Sequence, residues 1–186
     1  MIAFVRHGET EANRSGLLLG RADPPLTARG LDQAHRVAEA VAALGPARLV
    51  SSPLLRARQT ASLVGEACGL EAEVDERLIE LDYGTWDGTS LSAADAERVE
   101  RWRRDSSLAP HGGESLDEVG MRVAAFCLEA AERTPDSFPL VAVSHVSPIK
   151  AAVAWALGSG QGIAWRMYLE LASVTRIRPG PDMPAL

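Results

Sequence analysis

Three short apolar runs, each followed by a helical pattern, constrain this chain more than any other feature. Met1–Val5, Arg48–Val50 and Leu140–Val143 are rich in Val, Ile, Leu and Phe without regular polar alternation, the pattern of strands covered on both faces. After the first, Leu31, Ala34, Ala38, Val41 and Leu44 recur at helical spacing up to Gly45-Pro46; after the second, Leu54, Ala57, Ala61, Val64 and Cys68 do so up to Gly69. Ser115-Leu116-Asp117-Glu118 reads as a capping box that opens a helix with the stripe Leu116, Val119, Val123, Phe126 and Ala130. After the third run a helix is expected from Pro148 to about Leu157 with Ser147 as its N-cap, and a late strand near Ser173–Ile177. Strands alternating with helices predict an α/β fold, a three-layer α/β/α sandwich around a mostly parallel sheet. With ~150 residues per domain, 186 residues predict one domain over 1–186, with 179–186 as a flexible tail.

Composition narrows the classes. Charged residues make up 24% and apolar residues 46%, which excludes collagen-like, coiled-coil and mainly disordered chains. No apolar run approaches the ~20 residues of a membrane span, and the chain opens into Ile2-Ala3-Phe4-Val5 with no basic leader, so a cytoplasmic protein is expected. Cys68 and Cys127 are unclustered and sit in helical segments, which argues against a disulfide framework or thiolate metal site. The net charge of −6 argues against nonspecific binding to nucleic acid or anionic membrane. It leaves room for a small anion, because salt screens a distant acidic surface beyond roughly 8 Å while a local arginine cluster acts at contact. Lys150 is the sole lysine; the other basic residues are arginines.

In parallel sheets ligands lie beyond the carboxyl ends of the strands. There the first run ends in Arg6-His7-Gly8-Glu9, the second in Ser51-Ser52-Pro53 and the third in Ser144-His145, which puts two of the four histidines on one rim. With Ser52 as N-cap and Pro53 at the first helical position, Arg56 falls at the start of a helix, where a cation opposes the dipole at a cost of up to about 1 kcal/mol. An anion bound there resolves the conflict, and phosphate facing Arg6, Arg56 and a protonated His145 fits the geometry.

These residues resemble the signature blocks of the histidine phosphatase superfamily, the phosphoglycerate mutase-like family, over most of the chain. Phe4-Val5-Arg6-His7-Gly8-Glu9-Thr10 with Asn13 resembles its RHG signature, and Gly20 through Gln33 continue the pattern. Ser51 to Ala61 resembles the second block, Leu78 to Gly88 the third, and Val143-Ser144-His145 the fourth. The resemblance implies a three-layer fold, His7 as a nucleophile forming a phosphohistidine, Glu80 as proton donor to the leaving oxygen, and His145, Arg6, Arg56 and Asn13 around the phosphate. The residue chemistry agrees: adjacent Arg6 should hold His7 neutral and nucleophilic, and the arginines and imidazole supply the positive charge without a metal or cofactor. Glu9 and Asp82 are weaker candidates for the acid.

The sequence departs from the family at Val146-Ser147-Pro148, where many members carry a glycine pair; Pro148 has no amide to donate and Val146 keeps one. The segment between Glu80 and His145 is shorter than mutases usually have, which favours an open site and hydrolysis. The expected activity is therefore a phosphomonoesterase acting on a small phosphorylated metabolite, with a phosphoglycerate mutase or a turnover-deficient phosphate-binding module as alternatives and a homodimer left open. Leu19, Arg21 and His111 are candidates for specificity: Leu17-Leu18-Leu19 stand where mutases place a hydroxyl residue, so Leu19 presents an apolar wall to the leaving group or else the loop packs inward. Cys127 begins a C-x5-R spacing, but Glu129 and Glu132 lie within it and the helical pattern continues through it, so Cys127 is read as packing. His35, Arg29 and Arg58 are read as surface residues, and Trp86, Trp102, Trp155 and Trp165 as dispersed anchors.

Overall fold

A computed structural model describes residues 1–133 and 139–178; the tail assigned to 179–186 lies outside the described residues. Its sheet has five strands: β1 (Ile2–Arg6), β2 (Arg48–Ser51), β3 (Ala72–Val74), β4 (Leu140–Ser144) and β5 (Val174–Ile177), in the order β3-β2-β4-β1-β5. β4 lies between β1 and β2 and is parallel to both, β3 is parallel to β2, and β5 closes the other edge antiparallel to β1. The edge strand β3 has only three residues, with Glu73 and Val74 exposed, a pattern too brief to register as a strand by periodicity.

The two-residue period of the strands feeds two cores. Ala3, Val5, Leu49, Val141 and Val143 face one side, where α2 (Ala28–Ala42) and α3 (Leu55–Cys68) contribute Val37, Val41, Ala57, Ala61 and Val64. Ile2, Phe4, Val50, Leu140 and Ala142 face the other, against α5 (Leu116–Arg133) and α6 (Val146–Ala156) with Val119, Val123, Phe126, Ile149 and Trp155. The sandwich is therefore three-layered, as the apolar runs require. The described residues also form two short helices, α1 (Glu11–Arg14) and α4 (Ala96–Arg104). Among the described residues no helix is long and apolar enough to cross a membrane.

Three helix starts and stripes differ from the sequence reading. Leu31 is 38% exposed, and the inner stripe of α2 runs through Gly30, Ala34, Val37, Ala38 and Val41, with Leu44 beyond the helix. The cause is a backbone contact: a side chain on Gly8 would collide with the carbonyl of Gly30, and one on Gly30 with that of Glu9, so these glycines let α2 seat directly on the loop after β1 and Leu31 turns outward. α3 begins at Leu55 with Leu54 at its N-cap, not at Ser52 and Pro53; the Ser52 hydroxyl meets His145 at 2.7 Å and accepts from the Leu54 amide at 3.4 Å, and Arg56 still lies in the first turn. α6 begins at Val146 with His145 at its N-cap, so Ser147 and Pro148 sit inside the first turn, where a missing amide hydrogen costs nothing. The capping box of α5 is present: Ser115 Oγ accepts from the Glu118 amide at 3.2 Å and the Glu118 carboxylate accepts from the Ser115 amide at 2.7 Å.

Candidate active site

β1 and β4 run side by side, so their carboxyl ends deliver His7 and His145 together, with ring centroids 5.0 Å apart. The His7 amide donates to the Ser144 carbonyl at 3.0 Å, extending the strand pairing into the site. His7 Nδ1 lies 2.7 Å from the Gly8 carbonyl, an oxygen that only accepts, so Nδ1 carries the hydrogen and Nε2 keeps its lone pair. The Gly8 amide donates to Thr60 on α3 at 3.2 Å, which pins the loop from the opposite side. His145 Nε2 shares a 2.7 Å hydrogen bond with Ser52 Oγ at the end of β2, while its Nδ1 is buried without a partner.

Glu80 reaches the site from the segment after the 3-10 turn Glu76–Leu78. Ser144 Oγ donates to the Leu78 carbonyl at 2.6 Å, tying that turn to β4. Glu80 Oε1 then accepts from its neighbour's amide, Leu81, at 2.7 Å and from the Ser147 amide in the first turn of α6 at 3.2 Å. Two fixed donors on one oxygen orient the buried carboxyl and leave Oε2 for chemistry.

Arg56 is fully buried, a rare state for an arginine. Its guanidinium donates to the carbonyls of Gly20 and Ala22, each at 2.8 Å, and to that of Leu19 at 3.4 Å; the nearest carboxylate, Asp23, stands 3.9 Å away and is half-exposed. Asp87 makes this cradle by accepting from the amides of Gly20, Arg21 and Ala22 at 2.8 to 2.9 Å, which turns the loop's carbonyls toward Arg56. Arg6 donates to the Leu169 carbonyl at 2.6 Å, and both arginines keep a buried Nε without a partner. Asn13 Oδ1 accepts from the amide and hydroxyl of Thr10, locking the carboxamide so that Nδ2 is the group left to donate outward.

Burial, then Arg56, then Arg6 push the His7 imidazole well below its ordinary range. The expectation that Arg6 holds His7 neutral is thus met chiefly by desolvation and by Arg56. Burial first, then His7 and both arginines, push the His145 imidazole well below its ordinary range, whereas the protonated form expected from the sequence is one that faces a phosphate dianion. Burial also lowers Arg6 and Arg56, with Glu80 the largest charge opposing it in each.

The structure brings Arg6, His7, Arg56, Glu80 and His145 to one rim, with Asn13 at the start of the loop beside them. The specificity candidates separate. Leu19 is 8% exposed and Leu18 packs on the core around Phe4 and Tyr83, so the contribution to the pocket that the loop shows is its carbonyls. Arg21 pairs with Glu114 at 3.4 Å and Asp82 at 3.9 Å. His111 is exposed on a shallow surface cavity beside Trp86, Arg98 and Arg101. Glu9 takes the Thr27 hydroxyl at 2.9 Å, which occupies it structurally. Cys127 is buried in α5 with its thiol pushed up to about 12 by burial, and His35, Arg29 and Arg58 are exposed, as expected. The tryptophans are less dispersed than their spacing suggests: Trp102 meets Trp86 and Trp165 edge-on at 5.4 and 4.7 Å. The sequence points to Ser52 only as an N-cap and to neither Thr60 nor Asp87, since a hydroxyl or carboxylate that acts through another residue leaves no periodic signal.

Residues 2–186 match the family model described as "Histidine phosphatase superfamily (branch 1)". The chain belongs to the histidine phosphatase superfamily. Within that superfamily it is similar to the Mycobacterium tuberculosis protein named "Bifunctional protein Rv2228c", 37% identical over 181 residues that cover 94% of this chain and 49% of the relative, so the chain spans about half the length of that relative. It is similar to "Probable phosphoglycerate mutase GpmB" of Salmonella paratyphi C, 35% identical with 95% and 83% covered. Among solved structures, mycobacterial glucosyl-3-phosphoglycerate phosphatase complexed with VO3 matches with a TM-score of 0.86 at 33% identity over 93% of this chain and 88% of that one. A mutant phosphoserine phosphatase from Entamoeba histolytica complexed with phosphoserine matches with a TM-score of 0.85 at 26% identity, with 93% and 87% covered.

Proposed function

We propose that this histidine phosphatase superfamily member is a cytoplasmic, metal-independent phosphomonoesterase, one domain acting on a small phosphorylated metabolite through a phosphohistidine. The observation that carries the reading is a buried His7 whose Nδ1 faces the Gly8 carbonyl and leaves Nε2 free, flanked by the buried Arg56 and the half-buried Arg6, which no carboxylate reaches at hydrogen-bond distance. The likeness to solved phosphatases supports hydrolysis over isomerisation.

In the first step His7 Nε2 attacks phosphorus, the bond to the ester oxygen breaks, and Glu80 gives its proton to that oxygen. Arg6, Arg56, the Asn13 amide and His145 Nδ1 meet the charge that spreads over the equatorial oxygens. A phosphate dianion in contact with His145 favours its protonated form. In the second step water attacks the phosphohistidine, Glu80 takes its proton, and inorganic phosphate leaves with His7 restored.

The experiment is hydrolysis of p-nitrophenyl phosphate with and without EDTA, followed by acid and base treatment of the trapped phosphoenzyme. An acid-labile, base-stable label on His7 and activity insensitive to chelation are expected, together with inhibition by vanadate, which mimics the transferring group. Label on Cys127 or a serine, or activity lost to EDTA and restored by metal, overturns the mechanism. A substrate panel that includes 3-phosphoglycerate isomerisation separates phosphatase from mutase.

A further inference from the structure

Among the described residues, Tyr168 is the most exposed of the large apolar side chains that the fold leaves in water, at 81%, and the only aromatic among them. It lies in the segment between the 3-10 turn Gln161–Arg166 and β5. That segment is tied to the catalytic strand. The Arg6 guanidinium donates to the Leu169 carbonyl at 2.6 Å, the Ala172 amide donates to the His7 carbonyl at 3.2 Å, and the Arg6 amide donates to the Ser173 carbonyl at 3.1 Å. The phosphate arginine and the nucleophile therefore hold the backbone on which Tyr168 is carried.

The same segment contains the one non-glycine residue with a positive φ among the described residues, Ala172 at +53°. An alanine is strained there, and such strain persists only where the surroundings fix it, which is why it gathers at ligand clamps. At Ala172 the fixing contact is the carbonyl of His7. Tyr168 precedes the Leu169 anchor by one residue, and its hydroxyl and the exposed Glu170 carboxylate both act on Arg6 through charge, which places the two side chains at the Arg6 side of the rim. A single exposed aromatic is ordinary on a protein surface. One carried on a strained loop that is bonded to the phosphate arginine and to the nucleophile is a fixed ring at the mouth of the site.

We propose that Tyr168 is a specificity residue whose ring is a stacking platform for the leaving group, so that the site favours phosphomonoesters whose leaving group is a planar, uncharged ring. The inference rests on the phosphatase reading above for its orientation, with phosphate on Arg6 and Arg56 and the leaving group extending out of the rim. A ring laid on Tyr168 removes apolar surface of both partners from water and adds the offset or edge-on attraction of aromatic pairs. Because the loop is already anchored, little backbone freedom is lost on contact. Glu170, two residues on, opposes an anionic group at this edge, which sets a neutral ring above a charged one.

The test uses two phosphonates that cannot be hydrolysed and so carry no leaving-group chemistry: benzylphosphonate, which has the ring, and ethylphosphonate, which lacks it. Calorimetric Kd values on the unmodified protein should favour benzylphosphonate by about five- to tenfold. Tyr168→Ala should bring that ratio below about twofold, Tyr168→Phe should keep it, and Tyr168→Leu should keep part of it, while the Kd of inorganic phosphate stays within about twofold throughout. In steady-state hydrolysis, Tyr168→Ala should raise KM for phenyl phosphate by the same factor as the lost ratio, with the change carried by KM rather than kcat and with glycerol 3-phosphate far less affected. Equal Kd values for the two phosphonates on the unmodified protein, no binding of either, a ratio that survives Tyr168→Ala, or phosphate affinity lost in step with the ratio overturns the platform. Should hydrolysis and the His7 phosphoenzyme both fail, the phosphatase reading falls, while the phosphonate ratio still decides the platform.

Discussion

Arg56 and Arg77 lose solvent on folding in opposite company. Arg77, after β3, donates through Nε and Nη2 to both oxygens of Asp75, pairs with Glu129 at 2.9 Å and lies over the Phe126 ring at 5.5 Å. Its guanidinium is held above its usual range by Asp75 first; burial alone would raise the Asp75 carboxyl, but the hydrogen bonds from Arg77 carry it below the carboxylate range. Arg56 has backbone carbonyls instead of a bonded carboxylate, and burial drives it the other way. A charge taken from water costs several kcal/mol, and a carboxylate in contact returns much of it within the fold. At Arg77 the folded chain supplies that partner. At Arg56 it does not, and the missing attraction is available to an anion from solution.

The largest expected effect is on His7, the nucleophile proposed above between the rim arginines: His7→Ala should lower kcat by roughly 10³-fold or more and abolish the phosphoenzyme, measured by single-turnover labelling. The comparison itself is tested next. Arg56→Ala should lower kcat/KM by about 10² to 10³, or ~3 to 4 kcal/mol, whereas Arg77→Ala should change it by less than about threefold. Inorganic phosphate should raise the melting temperature of the unmodified protein and of Arg77→Ala but not of Arg56→Ala, since only ligand bound to the native state stabilises it. Equal losses of activity in the two variants would break the contrast.

Glu80→Gln should cost alkyl phosphates about 10² in kcat and p-nitrophenyl phosphate far less, because a nitrophenolate departs without a proton. Equal losses on both esters remove Glu80 from the acid role. A smaller effect concerns pH. His7 and His145 titrate lower in the folded protein than their ordinary value of 6.5, so the unfolded chain binds protons first as pH falls. Stability should be flat above about pH 7 and decline below 6.5, by up to ~1.4 kcal/mol per histidine per pH unit until the folded-state values are reached. Denaturant titrations at pH 7.5 and 5.5 should show this slope reduced in His7→Gln and His145→Gln. Asp75 acts with the usual carboxylate sign, its contribution present above its unfolded value and lost in acid below about 4. The smallest expected change is the stability loss of Arg77→Ala, about 1 kcal/mol, since that cluster is partly exposed and screened.

The buried strands, the α5 stripe from Leu116 to Ala130 and the positions of Arg6, His7, Glu80 and His145 were legible in the sequence. Each rests on local chemistry repeated at a fixed spacing or on a motif whose residues are neighbours in the chain. Where a helix begins depends on competition for a side chain. Ser52 reads as an N-cap in the sequence, but its hydroxyl is shared between the Leu54 amide and His145, 93 positions away, and α3 starts at Leu55. Leu31 has the spacing of a core residue and is turned out because two glycines meet behind it.

Charge states followed the same division. That Arg6 and Arg56 flank His7 could be argued from the first strand and the first turn of a helix. That His145 Nδ1 is buried without a partner and that Arg56 is cradled by carbonyls of the loop that Asp87 holds are set by which groups the fold excludes from water. The sequence alone determined the α/β/α layering and which side chains crowd the rim, because periodicity and strand order act through neighbours along the chain. Only the tertiary structure decided which of those polar groups go without a partner, because desolvation and pairing are properties of the space between segments and carry no signature in any one of them.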